Sequence, residues 1–348
     1  MFRRILAGLL ATALAVPSLA LAEGCGQCEE EACPRFSLRL EAIGLKRSTP
    51  EDRVLATEQA AGGLPPSATV LDATDFGQEF EYGGRLALGY RMSHTMSLEL
   101  AAYGTTPSEQ NKSRNGADTL DTPFAVNGIT NNLALPVGFQ GASDFQRNEF
   151  VEVGFDSSTW SVETNMWNEL CAPHSSICAR VGGGLRFIEL DEDLDYFVDD
   201  AVAGAGDDSS FTVDNMLKNR LFGLQVGGGV WAHPTHTLAI GVEAKVGAYA
   251  NWMERDSNLV RGDGLVGVDE EGSAIGFATV FEVSAETRWD ITPNIGLVAG
   301  YRFVQVNGAA LGTENLQFNL SDPGEYQDIR DDGSVYWHGP FVGAEFRF

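Results

Sequence analysis

An all-β chain is predicted, a transmembrane antiparallel up-and-down β-barrel of about ten strands with short periplasmic turns and long acidic external loops. Polar and apolar residues alternate in segments of roughly ten residues, as a wall with lipid on one face and lumen on the other requires. The connections between those segments alternate strictly between short and long. Beyond the N-terminal leader, no run approaches the roughly 18 apolar residues of a membrane helix.

In chain order, residues 1–22 read as a secretory signal peptide: Arg3 and Arg4 precede the apolar run Ile5 to Val16, and Ala20-Leu21-Ala22 is a small-x-small cleavage site. Residues 23–35 form a Cys-rich periplasmic segment and residues 36–348 the barrel. Leu38, Leu40 and Ala42 interleave with Ser37, Arg39 and Glu41; Leu86, Leu88 and Tyr90 with Arg85, Ala87 and Arg91; Leu98 and Leu100 with Ser97 and Glu99. The second half continues with Trp160 and Val162 against Ser161 and Glu163, and Val181 and Leu185 against Arg180 and Arg186. Phe222 to Val230, Leu238 to Val246, Phe281 to Trp289, Leu297 to Phe303 and Val342 to Phe348 keep the same period.

Short connections run from Met92 to Met96, Cys171 to Cys178, Ala232 to Thr237 and Asp290 to Asn294. Long ones run from Lys46 to Glu81, Thr105 to Asn148, Asp191 to Asn215, Glu254 to Gly276 and Gly312 to Val335. A soluble sandwich has no reason to sort its loops by end. Within the second long connection, Phe124 to Ile129 and Asn132 to Phe139 could form a further hairpin, for twelve strands. The terminal Phe348 is the ending that barrel-insertion machinery reads. That machinery and outer-membrane lipid are the expected partners.

Charge narrows the function. Asp and Glu number 49 against 23 Lys and Arg, a net charge of -26. That excludes a nucleic-acid binder, whose affinity comes mainly from cations on phosphates, and a helix docked on anionic lipid. The 40 glycines argue against an all-helical chain.

The stretches SLRLEAIGLKRS, GGRLALGYRM, VETNMW, VGGGLRFIELDEDL, NRLFGLQVGGGVW, IGVEAKVGAYAN, TRWDITPNIGLVAGYRFVQVNG and WHGPFVGAEFRF, spread over most of the chain from about Phe36 to Phe348, resemble the beta-barrel porin seven family of bacterial outer-membrane proteins. Each is loose alone, and their order carries the resemblance. The opening strand has fewer aromatics than the family leads one to expect. The resemblance implies a pore and supplies no catalytic residues.

Alternation places Arg39, Arg85, Arg91, Arg180, Arg186, Lys245, Arg288, Arg302 and Arg347 inside the lumen. Glu41, Glu99, Glu163, Glu169, Glu243, Glu282, Glu286 and Glu345 join them. An eight-stranded barrel is just filled by side chains, so an interior near ten strands is narrow. Opposite charges there should pair, leaving a cross-linked interior with at most a thin or gated path. The segment Asp191 to Asp214 carries acids with no Lys or Arg. No EF-hand spacing is present, so solvated charge or bridging by loosely held divalent cations is expected there, with cations favoured at the mouth.

Five cysteines fall at the periplasmic end. Cys171 and Cys178 flank a short turn and form the candidate disulfide. The CGQC motif has redox or metal spacing, but no helix start or following His supports it, and no cofactor is expected. His94, His174, His233 and His236 lie in periplasmic turns, and nothing sets Ser334 and His338 into a triad. The chain is therefore expected to be no enzyme. The leading expectation is a porin-like passive channel for small solutes or ions with cation preference. The alternatives are a non-conducting structural or adhesive surface barrel and, behind it, a lipid-modifying enzyme.

Overall fold

The computed structural model describes residues 34–59, 68–77, 79–124, 136, 138–139, 145, 147–171, 175–199, 210–320 and 323–348. The leader, Cys25, Cys28, Cys33 and His174 lie outside these residues. The strands are β1 (Phe36–Arg47), β2 (Val54–Glu58), β3 (Ala68–Asp72), β4 (Phe80–Arg91), β5 (Met96–Thr105), β6 (Ser108–Asp121), β7 (Asn148–Cys171), β8 (Ile177–Asp199), β9 (Ser210–Ala232), β10 (Leu238–Arg261), β11 (Val266–Thr292), β12 (Ile295–Ala309) and β13 (Gly333–Arg347). Single 3-10 turns span Ala73–Asp75 and Pro323–Tyr326.

Ten of these close a ring in the order β1, β4, β5, β7, β8, β9, β10, β11, β12, β13, every neighbour antiparallel. The seam is β1 on β13, in register from Ser37 opposite Arg347 to Arg47 opposite Trp337. It is stitched at its base by Phe36 N–H to the Phe348 carbonyl (2.9 Å) and Phe348 N–H to the Phe36 carbonyl (3.0 Å). Closure removes the open edge that lipid would penalise.

Outward side chains define an apolar belt. Leu40, Leu88, Leu100, Val226, Val242 and Val342 are exposed on it. Aromatics rim it: Phe36, Tyr90, Trp289 and Phe348 at one edge, Tyr82, Trp160, Phe187, Phe222, Trp252, Phe277 and Tyr336 at the other. Amphipathic rings at both edges suit the boundary between hydrocarbon and head groups.

The wall is lopsided. Strands β7 to β11 run 23 to 27 residues, whereas β1, β4, β5, β12 and β13 run 10 to 15. A membrane strand needs only about 9–11 residues, so the long five rise well beyond the upper girdle. Strand β6 continues the line of β5 along β7 after a break at Pro107, which has no N–H to donate. The β2–β3 hairpin then extends from β6. This lobe beyond the upper girdle is filled by its own apolar core. Val151, Val153 and Phe155 of β7, Leu194, Tyr196 and Val198 of β8, and Phe211 and Val213 of β9 meet Leu55, Leu71 and Phe76 from the β2–β3 region and Leu316, Leu320 and Tyr326 from the β12–β13 connection. That connection is fastened through its backbone. Arg53 donates to the carbonyls of Thr313 (3.0 Å), Glu314 (2.8 Å) and Leu316, and Arg255 to that of Asp328 (3.0 Å).

Three expected connections change in consequence. Asp191 to Asn215 is mostly strand, with β8 running to Asp199 and β9 starting at Ser210. Glu254 to Gly276 is strand except for a tight turn after Arg261, and Thr105 to Asn148 contains β6. The period of two persists along β8 there, but its faces invert: Leu194, Tyr196 and Val198 point inward, and Asp191, Asp193 and Asp195 outward. Twelve strands are excluded from the ring, because β5 pairs directly with β7 over Met96 to Gly104. The suggested extra hairpin falls mostly outside the described residues. The short turns fall where expected, and Cys171 and Cys178 form a disulfide across the base of β7 and β8, with Cα atoms 4.4 Å apart.

Candidate functional site: a charge lattice across the lumen

Strand alternation places one set of inward side chains at the same height around the ring. Six cations (Arg39, Arg85, Arg180, Arg186, Lys245, Arg302) interleave with six carboxylates (Glu41, Glu99, Glu163, Glu243, Glu282, Glu286) in one connected network. Glu41 of β1 accepts from Arg302 (3.1 Å) and Arg85 (3.4 Å) and forms an ion pair with Arg39 (2.5 Å). Arg85 of β4 reaches on to Glu99 and Glu163, each at 3.6 Å. Lys245 of β10 lies 2.8 Å from Glu163, 3.5 Å from Glu282 and 4.0 Å from Glu243. Arg186 of β8 closes on Glu282 at 2.8 Å, and Arg39 on Glu286 at 2.7 Å.

Neutral groups complete the lattice. Gln225 of β9 donates to Glu163 (2.8 Å) and Asn165 (2.7 Å) and accepts from the Tyr249 hydroxyl (3.2 Å). Arg180, which pairs with Glu243, lies over the rings of both Trp167 (4.4 Å) and Trp231 (4.6 Å). Glycines make room for those indoles: a Cβ on Gly241 would come within 2.3 Å of Trp231, and one on Gly182 within 2.7 Å of Trp167. This explains why the lumen face of β8 to β10 is rich in glycine.

Burying an ion costs several kcal/mol, repaid only when partners surround it. Here most members touch two or three opposite charges, and Glu41, Arg186 and Lys245 are at most 5% exposed. The gap left at lattice height, lined by Arg39, Arg85, Glu99, Arg180, Glu243 and Arg302 among others, measures about 20 Å³. That is about the room of a single water.

Above the lattice the lumen turns apolar: Ile43, Leu45, Ile188, Leu190, Leu221, Val280, Val304 and Trp337 pack together. One buried ion pair interrupts it, Arg47 on Glu192, whose second oxygen accepts from Gly312 N–H at 2.8 Å. Below the lattice, Arg347 meets Glu345 (2.8 Å) and Asp290, and Arg288 lies 3.5 Å from Asp290. Of the expected lumen residues, Arg288, Glu345 and Arg347 thus form a separate group at the short-turn mouth of the ring. Arg91, at the end of β4, joins neither group.

Of the acids expected in the Asp191 to Asp214 connection, Asp191, Asp193, Asp195 and Asp214 stand on the outward face of the lobe, Glu192 points inward to Arg47, and Asp200, Asp207 and Asp208 lie outside the described residues. Register sets Glu109, Asp156 and Asp193 side by side across β6, β7 and β8, and Asp195 beside Asp214 on β8 and β9. Like charges opposite one another are unfavourable. Partial burial and then the Asp195 charge push Asp214 up to about 6, and burial with neighbouring acids raises Asp156 and Asp193. The sequence reading picks out Asp193, Asp195 and Asp214 as loop charge and does not single out Glu109 or Asp156; the structure sets all five on strands. The Asp191-Glu192-Asp193-Leu194-Asp195-Tyr196 alternation was the available signal.

His338 bonds to the Tyr301 hydroxyl on the outward face, whereas Ser334 donates to Asn307 at 2.8 Å.

No family model matches the chain, and no curated protein matches it in sequence. Among solved structures it is similar to the outer-membrane protease OmpT of Escherichia coli, at 10% identity and a TM-score of 0.41, covering 93% of this chain and 100% of that one. It is also similar to Neisserial surface protein A, at 10% identity and 0.31, covering 90% and 97%. The toluene transporter TbuX of Ralstonia pickettii matches at 10% identity and 0.31, covering 93% and 91%. A protease, a surface protein and a transporter at such scores say nothing of what this chain does, and its fold rests on its own strand pairing. Among the described residues no helix is long and apolar enough to cross a membrane, which says nothing of strands.

Proposed function

We propose that the protein is an outer-membrane β-barrel, exported by residues 1–22, that is closed at rest and holds a solid, acid-faced lobe at the cell surface. The observation that carries this reading is how little room the described lumen side chains leave: a charge-balanced lattice around a gap of about 20 Å³, with two apolar clusters above it. Divalent cations bridging the acidic wall to neighbouring lipid phosphates are part of the proposal, as is membership of the beta-barrel porin seven family, which rests on the order of its strand stretches.

The second reading is a porin-like path for small ions with cation preference. It is favoured by the ring of charged and polar groups at lattice height and by an acidic external wall, which would concentrate cations. It requires the Lys245–Glu163 and Arg85–Glu41 contacts to separate. A lipid-modifying activity has least behind it, since Ser334 and His338 are engaged with different partners.

Planar-bilayer recording of the full-length protein separates the first two. The closed reading expects no stable current from the wild type and small steps once Glu163→Ala and Lys245→Ala are combined to remove side-chain volume at the lattice. Reproducible steps from the wild type decide for the porin-like reading, and the reversal potential in a salt gradient then reads its ion preference.

A further inference from the structure

The upper rim of the belt is not electrically uniform. On the tall side its cations are answered by acids: Arg220 lies 2.9 Å from Glu254 and 3.3 Å from Glu189, and Lys218 stands opposite Asp191 and Glu254. On the short side, where β13, β1 and β4 meet, the outward Lys46 has Phe80 and His338 as its register partners. Tyr82 lies over Gly44 on the same face, and Tyr336 and Tyr301 flank His338, ring centroids 6.0 and 5.9 Å away. Among the described residues Lys46 has no carboxylate within ion-pair distance. The Tyr301 hydroxyl is bonded to His338 Nδ1, which fixes the imidazole against the sheet.

We infer that this Lys46–His338–Tyr301 patch is a binding site for the phosphorylated head group of an outer-leaflet lipid. The inference rests on the outer-membrane reading above. A lysine emerging at girdle height lies where head-group phosphates lie, and among the described residues Lys46, unlike Lys218, has no carboxylate as a register partner. The hydroxyls and imidazole offer further polar contacts, while exposed Tyr82 and Phe80 present ring faces to the glycolipid or acyl chain below. Simple snorkelling of Lys46 into water would account for the lysine, but it would give no preference among lipids.

Native mass spectrometry of the full-length protein in mixed micelles, with bisphosphorylated or dephosphorylated lipid A as probe, tests this. The wild type should retain the phosphorylated form about tenfold better, Lys46→Met should lose most of that preference, Tyr301→Phe should reduce it severalfold, and Lys218→Met on the acidic side should leave it intact. Folding of each variant is checked by heat-modifiable migration. Equal retention of the two lipids, or an unchanged preference in Lys46→Met, overturns the inference. Displacement by millimolar inorganic phosphate would mark a free-phosphate site and overturn the lipid assignment. Failure to insert into bilayers at all would sink the outer-membrane reading instead, a result distinct from insertion without lipid preference.

Discussion

Strands β7 to β10 line two interiors and fill them in opposite ways. Along β7, the inward positions Ser161, Glu163 and Asn165 give way to Phe155, Val153 and Val151 higher up; along β8, Arg180 and Arg186 give way to Leu190, Leu194 and Tyr196. The outward face makes the reverse change, from Val162 and Val181 to Asp156 and Asp193. The inversion falls at the girdle marked by Trp160, Phe187, Phe222 and Trp252. Where lipid covers the outside, the wall takes its apolar residues outward and holds its inside together by charge. Where water covers the outside, it behaves as an ordinary half-buried sheet with its apolar face on a core. A strand apolar on both faces would be an aggregation hazard before insertion, so the lattice solves a problem the lobe does not have.

This contrast can be broken at either tier. The largest effect is expected from Lys245→Met, which leaves Glu163 with a single cation and weakens two further carboxylates; a loss of about 3–5 kcal/mol is anticipated from removing one partner of a buried ion-pair network. Guanidinium-chloride unfolding in detergent would measure it. Adding Glu163→Leu should recover most of the loss, since the remaining acids keep Arg180, Arg186 and Arg302. If the double variant is as unstable as the single one, charge pairing is not what the lattice contributes.

In the lobe, Leu217→Ala should cost about 2–5 kcal/mol by cavity formation. Leu217 is fully buried against Met253 and Ala310, so the damage should appear as faster hydrogen exchange around residues 310–320 while the belt stays protected. Uniform loss of protection would mean that the two tiers are one cooperative unit. A smaller change, about 1 kcal/mol, is expected for Tyr196→Phe, which removes the 2.6 Å hydrogen bond to the Leu55 carbonyl; thermal melts of the two proteins give the difference.

The smallest effect concerns the acidic outer wall. Asp214, at about 6, lies above the ordinary carboxyl value, so the folded state takes up a proton that the unfolded chain does not. The repulsion is therefore fully present above that value and fades as pH falls through it. Stability should rise slightly between pH 7 and pH 5, and Asp214→Asn should remove that rise while stabilising the protein at pH 7 by a few tenths of a kcal/mol. A variant with an undiminished pH response would place the effect elsewhere.

Face and strand order were legible in the sequence because both follow from alternation. Arg85, Glu163, Lys245 and Glu282 could be placed inside from their neighbours alone. Their pairing could not: Lys245 meets Glu163 across 82 positions of sequence, and period fixes which way a side chain points without fixing whom it meets. The lobe was hidden for a different reason. Asp191, Asp193 and Asp195 look like loop charge in a run of acids without Lys or Arg, although Leu194, Tyr196 and Val198 keep the beat between them. The core residues Leu316 and Tyr326 come from an irregular connection that carries no period to read.

The inversion of faces at the girdle is tested most directly by a spin-label scan of β10 in lipid vesicles, reading accessibility to dissolved oxygen against a water-soluble nickel complex. Labels at Val242, Val246 and Trp252 should report lipid, and labels at Glu254, Asp256 and Asn258, on the same outward face, should report water. A lipid signal continuing through Asn258, or a water signal at Val246, would contradict the two-tier barrel.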